Sequence, residues 1–362
     1  MPIHLHIGTH KTGTTAIQRQ LKRNRESLKK LGVWYPSEGE LLPGRGEGIP
    51  HRNIARSLDN RGGPKPYSVD ELQIIARSII GKAQQYEHTI ISSEAFWRIG
   101  FAAVPDLYPI EELWLRKQSN IAKIRRLFQD ADVRVSAVLR ERGAYIQSSY
   151  SEFILATLYK DGIKQFIRSY SHGWDYDRQL QAWGSHFPVQ AHSYEDLSQS
   201  GQLPLSFLRR LCGSNLPEEA LAADKKTRVN ISEPLACVAF KLFLNQLPLD
   251  YHKRNKLYGK YSKIFNQQSG QPAWQDMAAI NSWLTGAELA ALRQSLVATD
   301  QQIRAKYCPS FVSIAAEGMA QLQPGNREPR ALKTADQQRV IRWMLTQKPL
   351  KKAWFSSADP EA

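Results

Sequence analysis

The apolar positions of this chain follow two rhythms. Short β-branched and aliphatic runs at 3–8 (Ile3-His4-Leu5-His6-Ile7-Gly8), 88–93, 133–139 and 188–193 read as buried strands. The segments between them space their apolar residues at intervals of three and four, as helices do. Over 14–31, Ile17, Leu21, Leu28 and Leu31 share one face, and Gly32 supplies a stop. Ser68-Val69-Asp70-Glu71 has the form of a capping box and opens a helix reaching about Tyr86. Helical spacing returns at 145–154 and 235–247, and most of 200–310 follows it. Strands alternating with helices predict an α/β fold with a central parallel sheet flanked by helices and a largely helical C-terminal part. The expected organisation is one catalytic domain over 1–320, with helical additions from about 200, then a basic extension over 321–362. A turn-rich loop at 36–66, dense in Gly, Pro and Arg, is expected to overhang whatever site the sheet carries.

The first strand runs directly into Gly8-Thr9-His10-Lys11-Thr12-Gly13-Thr14-Thr15. A strand that turns through glycines into a helix start aims backbone N–H groups and the positive end of the helix dipole at one point, which suits a phosphate. Glycine at the first and sixth positions and a hydroxyl at the eighth give this segment the frame of a nucleotide P-loop. An NTPase needs lysine at the seventh position, where this chain has Thr14; its lysine stands earlier, at Lys11. A cation there can lie over the bridging oxygen between a terminal phosphate and its substituent. A P-loop kinase using ATP, the alternative enzyme class, would require lysine at position 14 and therefore fits the loop less well.

Lys11-Thr12-Gly13-Thr14-Thr15-Ala16 resembles the 5′-phosphosulfate loop of sulfotransferases that use 3′-phosphoadenosine 5′-phosphosulfate (PAPS), and is closest to the versions in carbohydrate sulfotransferases. Cytosolic steroid and phenol enzymes usually carry tryptophan where this chain has Ala16, so adenine stacking from that position is missing. A second segment is similar to the family's 3′-phosphate site: the strand 133–139 ends at Arg140, and Ser148 follows eight residues later on a helix. Arg offers a planar fork of donors to phosphate oxygens, and Ser adds a short hydroxyl. The segment 189–197 resembles the family's late strand, whose terminal tyrosine, here Tyr194, reaches the adenine; a core tyrosine at a strand end is the plainer alternative. The basic run Asp224-Lys225-Lys226-Thr227-Arg228 resembles the flexible segment that closes over the 3′-phosphate, with Arg228 ahead of Lys225 and Lys226; a solvated charge run is the alternative.

The resemblance implies a P-loop NTPase-like three-layer fold and transfer of a sulfuryl group from PAPS to a hydroxyl or amine, without a metal. Lys11 and the N–H groups of Thr12, Gly13, Thr14 and Thr15 would hold the 5′-phosphate. The acceptor's base is open among four residues. Glu94 follows the strand 88–93, His51 lies in the overhanging loop, and Glu38 and Glu40 stand a short way downstream of the phosphate loop. A glycan or glycoconjugate is the expected acceptor, since Ala16 is glycan-like and nine tryptophans offer faces on which sugars stack.

Charge and cysteine usage narrow the setting. The chain has 362 residues and 42% hydrophobic content, enough for a large α/β core. Its 49 Lys+Arg against 34 Asp+Glu leave a formal charge of +15, which attracts polyanions: PAPS, an acidic glycan, nucleic acid or an anionic membrane. No nucleic-acid reading motif stands out, so a catalytically silent polyanion binder is the lesser class and no nucleic-acid partner is expected. Cys212, Cys237 and Cys308 are widely spaced and read as packed or free thiols in a reducing compartment. With a strand beginning near residue 1 and no apolar run of membrane-spanning length, the expectation is a cytoplasmic protein. In the extension, Thr334-Ala335-Asp336-Gln337 opens a short apolar helix followed by Lys351, Lys352, Trp354 and Phe355; its face is expected to dock on the domain rather than on a membrane surface.

Overall fold

Ile3, Leu5, His4 and His6 are all buried, because the first strand has neighbours on both edges and helices over both faces. A computed structural model of the chain describes residues 1–44, 51–59, 67–101, 109–213, 216–218, 221, 233–268 and 282–312. In chain order the elements are β1 (Ile3–His6), α1 (Thr14–Arg23), α2 (Arg25–Lys30), β2 (Val33–Trp34), α3 (Glu38–Leu41), α4 (His51–Leu58), α5 (Val69–Ala83), β3 (His88–Ser92), α6 (Ile110–Phe128) and β4 (Val133–Leu139). They continue with α7 (Arg142–Ala156), α8 (Ile163–Ser169), α9 (Tyr176–Gly184), β5 (Val189–Ser193), α10 (Tyr194–Ser198), α11 (Leu203–Cys212), α12 (Leu235–Gln246), α13 (Tyr251–Gln268) and α14 (Gly286–Lys306). The expected 321–362 helix and the 224–232 basic run, with Lys225, Lys226 and Arg228, lie outside the described residues.

The chain divides into two compact units. The first comprises 1–145, 169–229 and 295–314, and holds the five-stranded sheet in the order β2-β3-β1-β4-β5, every pairing parallel. Helices α1, α2, α10 and α11 cover one face through Ile17, Leu21, Leu28, Phe207, Leu208 and Leu211. Helices α4, α5, α6 and α9 pack against one another and against β3 and β5. This is an α/β fold with a wholly parallel central sheet. The second unit, 146–168, 230–294 and 315–362, is helical where described. In it α12 packs on α13 through Phe240 and Tyr261, whose rings are 3.9 Å apart, and Trp283 donates to Ser151 Oγ at 2.7 Å beside Tyr150. No described helix is long and apolar enough to cross a membrane.

Several local expectations change. The helix expected over 14–31 breaks into α1 and α2 at Asn24, whose side-chain amide donates back to the Gln20 carbonyl at 2.9 Å and competes with the helical ladder. The first strand ends at His6, not residue 8, because Gly8 turns the chain with φ +28. The 36–66 loop contains α3 and α4, and β2, two residues long, is too short to show any periodicity. The Ser68 capping box forms as written, with Glu71 N–H donating to Ser68 Oγ at 3.1 Å and Ser68 N–H to Glu71 Oε2 at 2.7 Å. Burial lifts the Cys212 and Cys237 thiols to about 12, so both stay protonated.

The face of the sheet under α11 carries polar pairs in an otherwise apolar layer. His6 Nδ1 bonds Ser92 Oγ at 2.8 Å, His192 Nε2 bonds Ser136 Oγ at 3.1 Å, and Phe207 packs on both imidazoles. Burial lowers His6 and His51 to about 3 and His4 and His192 to about 4, from the ordinary 6.5. Their folded values lie below the unfolded one, so the unfolded chain binds more protons as pH drops, and stability present above pH 6.5 is lost toward pH 4 to 3. The urea-unfolding midpoint is therefore expected to be level above about pH 6.5 and to fall below it, before carboxylates titrate. His6→Asn should make that fall shallower; an unchanged slope would show that His6 is not among the groups responsible.

Candidate functional site

All five strands point the same way, so the carboxyl ends of β1, β3, β4 and β5 lie along one edge, and β1 stands where the chain order reverses. Ligands of open α/β sheets collect at such a crevice. The loop after β1 is tied down from within: Thr9 Oγ1 donates to the Val138 carbonyl at 2.8 Å, and Thr12 Oγ1 to the Thr9 carbonyl at 2.7 Å. Both threonines are fully buried, so they shape the loop, while Lys11 is exposed. Lys11 has φ +62, a left-handed conformation that lysine rarely adopts, and Gly13 follows at φ +74. Gly13 is the N-cap of α1 and has no side chain to offer, so the first N–H groups of that helix receive no side-chain cap. A Cβ on Gly8 would come within 2.5 Å of Thr14 Cγ2, which ties the turn to the first residue of the helix.

Arg140 leaves the end of β4 and reaches this loop, its Nη1 donating to the Lys11 carbonyl at 3.3 Å. Its backbone is held in turn by Tyr176, whose hydroxyl donates to the Arg140 carbonyl at 3.2 Å. Tyr194, at the end of β5, lies with its ring 5.4 Å from the Arg140 guanidinium. The next residue anchors the following helix: Glu141 accepts from the N–H groups of Gly143 and Ala144, each at 2.8 Å, capping α7. Glu195 accepts from Glu141 N–H at 3.0 Å and so joins the ends of β4 and β5. Lys11, Arg140 and Tyr194, expected from separate parts of the sequence, thus meet at one edge. Ser148 lies on α7 in the second unit, half-buried.

At the end of β3, Glu94 starts a series of turns over 94–100 and accepts from Gln18 Nε2 of α1 at 3.0 Å. That bond joins the candidate base to the helix that begins at the Lys11 loop. The turns are pinned from below by Lys117, fully buried on α6, which donates to the Trp97 carbonyl at 2.9 Å and sits 4.9 Å from the Phe101 ring. The other three base candidates have structural work. His51 is not a loop residue; it is buried in α4, and its Nδ1 accepts from Ser92 N–H at 3.1 Å, which occupies the lone pair a base needs. Glu40 is drawn into the α3 capping box and bonds Lys29 at 2.8 Å; burial raises its carboxyl, but hydrogen bonds from Lys29, Ser37 and Trp34 outweigh that and leave it at about 2. Glu38 accepts from the Tyr67 hydroxyl at 2.8 Å.

Beside Glu94 opens a pocket lined by His10, Arg52, Arg56, Asp59 and Arg98. None of these was legible as a site residue, since each needs α4, the β3 turn and the β1 loop to be brought together. Among the described residues no three His, Cys, Asp or Glu side chains are placed to share a metal ion. Comparison with family models, with curated proteins and with solved structures finds no match. What the site offers an anion is an uncapped helix start, an exposed lysine beside it and an arginine braced on the same loop.

Gly100→Ala should show how tightly the Glu94 turn is built. Gly100 has φ +87, and a Cβ would lie 2.5 Å from the backbone of Lys117. Chemical denaturation is expected to report a loss of about 2–4 kcal/mol. A loss below about 1 kcal/mol would mean that the turn moves freely.

Proposed function

We propose that this chain is a sulfotransferase with a P-loop NTPase-like fold, transferring the sulfuryl group of PAPS to a hydroxyl or amine of a glycan-type acceptor. The observation that carries the reading is Lys11, held left-handed beside the uncapped start of α1 with Arg140 on its carbonyl. A nucleoside-triphosphate loop would have its lysine on the helix, where this chain has Thr14.

The donor supplies an activated sulfuryl group on a 5′-phosphate. The N–H groups opening α1 bind that phosphate, and Lys11 offsets negative charge developing on the bridging oxygen. Arg140 binds and orients the 3′-phosphate, joined on the strength of the eight-residue spacing by Ser148 and on sequence likeness by Arg228. Tyr194, already against Arg140, is the residue proposed to meet the adenine. Glu94 takes the proton from the acceptor hydroxyl as its oxygen attacks, and Gln18 keeps the carboxylate turned toward the loop helix. No metal is needed in this scheme, since lysine, arginine and helix start supply the positive field. A cytoplasmic setting accords with three free thiols, of which Cys237 and Cys308 are buried.

Thermal shift separates this reading from its rivals. The full chain should be stabilised by 3′-phosphoadenosine 5′-phosphate and not by Mg-ATP; stabilisation by Mg-ATP alone, or by polyanions alone, would overturn the proposal. Lys11→Ala should keep its melting temperature and lose about 10²–10³ in kcat with labelled PAPS. Glu94→Gln should lose about 10²–10⁴ in kcat while binding the product nucleotide as before. Arg140→Ala should weaken that nucleotide about tenfold or more, and unchanged binding would remove Arg140 from the donor site.

A further inference from the structure

The pocket beside Glu94 carries more positive charge than the donor reading uses. Arg52 and Arg56 stand four residues apart on α4, hence on one side of it, and both are exposed. Like charges at that spacing destabilise a helix, and α4, His-Arg-Asn-Ile-Ala-Arg-Ser-Leu, contains no carboxylate to offset them. Arg98 adds a third guanidinium from the turns after β3. Two acids line the pocket with them: Asp59, buried, accepts among its contacts from Gly100 N–H and Asn120 Nδ2, both at 3.4 Å, and Glu94 accepts from Gln18. The pocket also shares His10 with the phosphate loop, one residue before Lys11. Burial holds that imidazole well below its ordinary range, and Arg98, Lys11 and Arg52 press it the same way, so these cations surround a neutral group.

We propose that Arg52, Arg56 and Arg98 form an acceptor subsite for an anionic group, a carboxylate or sulfate ester borne by the sugar, and that the acceptor is therefore an acidic glycan. The inference rests on the sulfotransferase reading above. Guanidinium forks match the planar oxygens of either group. An acid bound there would set a neighbouring hydroxyl beside Glu94, which lines the same pocket. The positive field also offsets repulsion between an acidic acceptor and a donor that is itself an anion.

Calorimetric titration of the full chain, with 3′-phosphoadenosine 5′-phosphate present, tests the subsite directly. The probes are a hexasaccharide of alternating glucuronate and N-acetylglucosamine, its carboxyl-reduced neutral form, and that neutral form after O-sulfation. The carboxylate or the sulfated form should bind at least about tenfold more tightly than the neutral one, and which does so identifies the anion. Arg52→Gln/Arg56→Gln, and separately Arg98→Gln, should each remove most of that preference while retaining thermal stabilisation by the nucleotide. A control at residues that do not line the pocket, Lys253→Gln/Lys256→Gln on α13, removes two charges and should leave the preference intact. Equal binding of charged and neutral probes, no binding of any, a preference that survives the arginine variants, or one lost equally in the control overturns the subsite. Failure of the nucleotide to stabilise the wild type would instead overturn the sulfotransferase reading, while the titrations, repeated without nucleotide, still judge the pocket.

Discussion

The candidate site depends on β1 pairing in parallel with β3 on one edge and β4 on the other. Ile3 lies level with Thr89 and Val133, and His6 with Ser92 and Ser136, so three strands end side by side. The Lys11 loop, a carboxylate and an arginine, more than 120 residues apart from first to last, are thereby delivered to one crevice. Parallel pairing demands crossover helices, and those helices cover both faces, so each of these strands must be buried. Shifting the β1 register by one residue would turn His6 away from Ser92 and move the loop off Arg140 together.

Buried polar groups are this sheet's other constraint. His6, His192, Ser92 and Ser136 occupy interior positions where aliphatic residues would pack as well, and each is matched to a partner on an adjacent strand. Lys117 does the same beneath the Glu94 turn, with a carbonyl and an aromatic face replacing the water it gives up. Such pairs add little net stability but penalise alternatives that would leave one member unsatisfied, and they sit directly under the loops that the site uses.

The two sides of the crevice differ in kind. On the loop side the donors are backbone N–H groups and Lys11, fixed by buried threonine hydroxyls and ill suited to move. On the α4 side the donors are exposed guanidiniums on long side chains, able to adjust to a ligand. One side of the crevice is thus fixed by its backbone, and the other is adjustable through its long side chains.

Strands, most helices, the Ser68 capping box and the phosphate-type loop were legible in the sequence, because period and turn chemistry are local properties. The spacing from Arg140 to Ser148 was likewise readable, since one strand end and one helix carry it. Where the chain competes with itself the reading failed: Asn24 breaks a helix through its own amide, and β2 is too short to have a period. The choice among Glu94, His51, Glu38 and Glu40 could not be made from residue types. Residue type does not reveal burial or which lone pairs neighbours occupy, as with His51 against Ser92 N–H and Glu40 against Lys29. By itself the sequence determined where the backbone turns through glycines into a cradle at the start of a helix; tertiary structure alone decided that Arg140 meets the Lys11 loop and that Arg52, Arg56 and Arg98 share a pocket with Glu94. The reason is physical: a cradle is built from consecutive backbone groups, whereas a pocket is built from strand order and helix packing, which no single segment encodes.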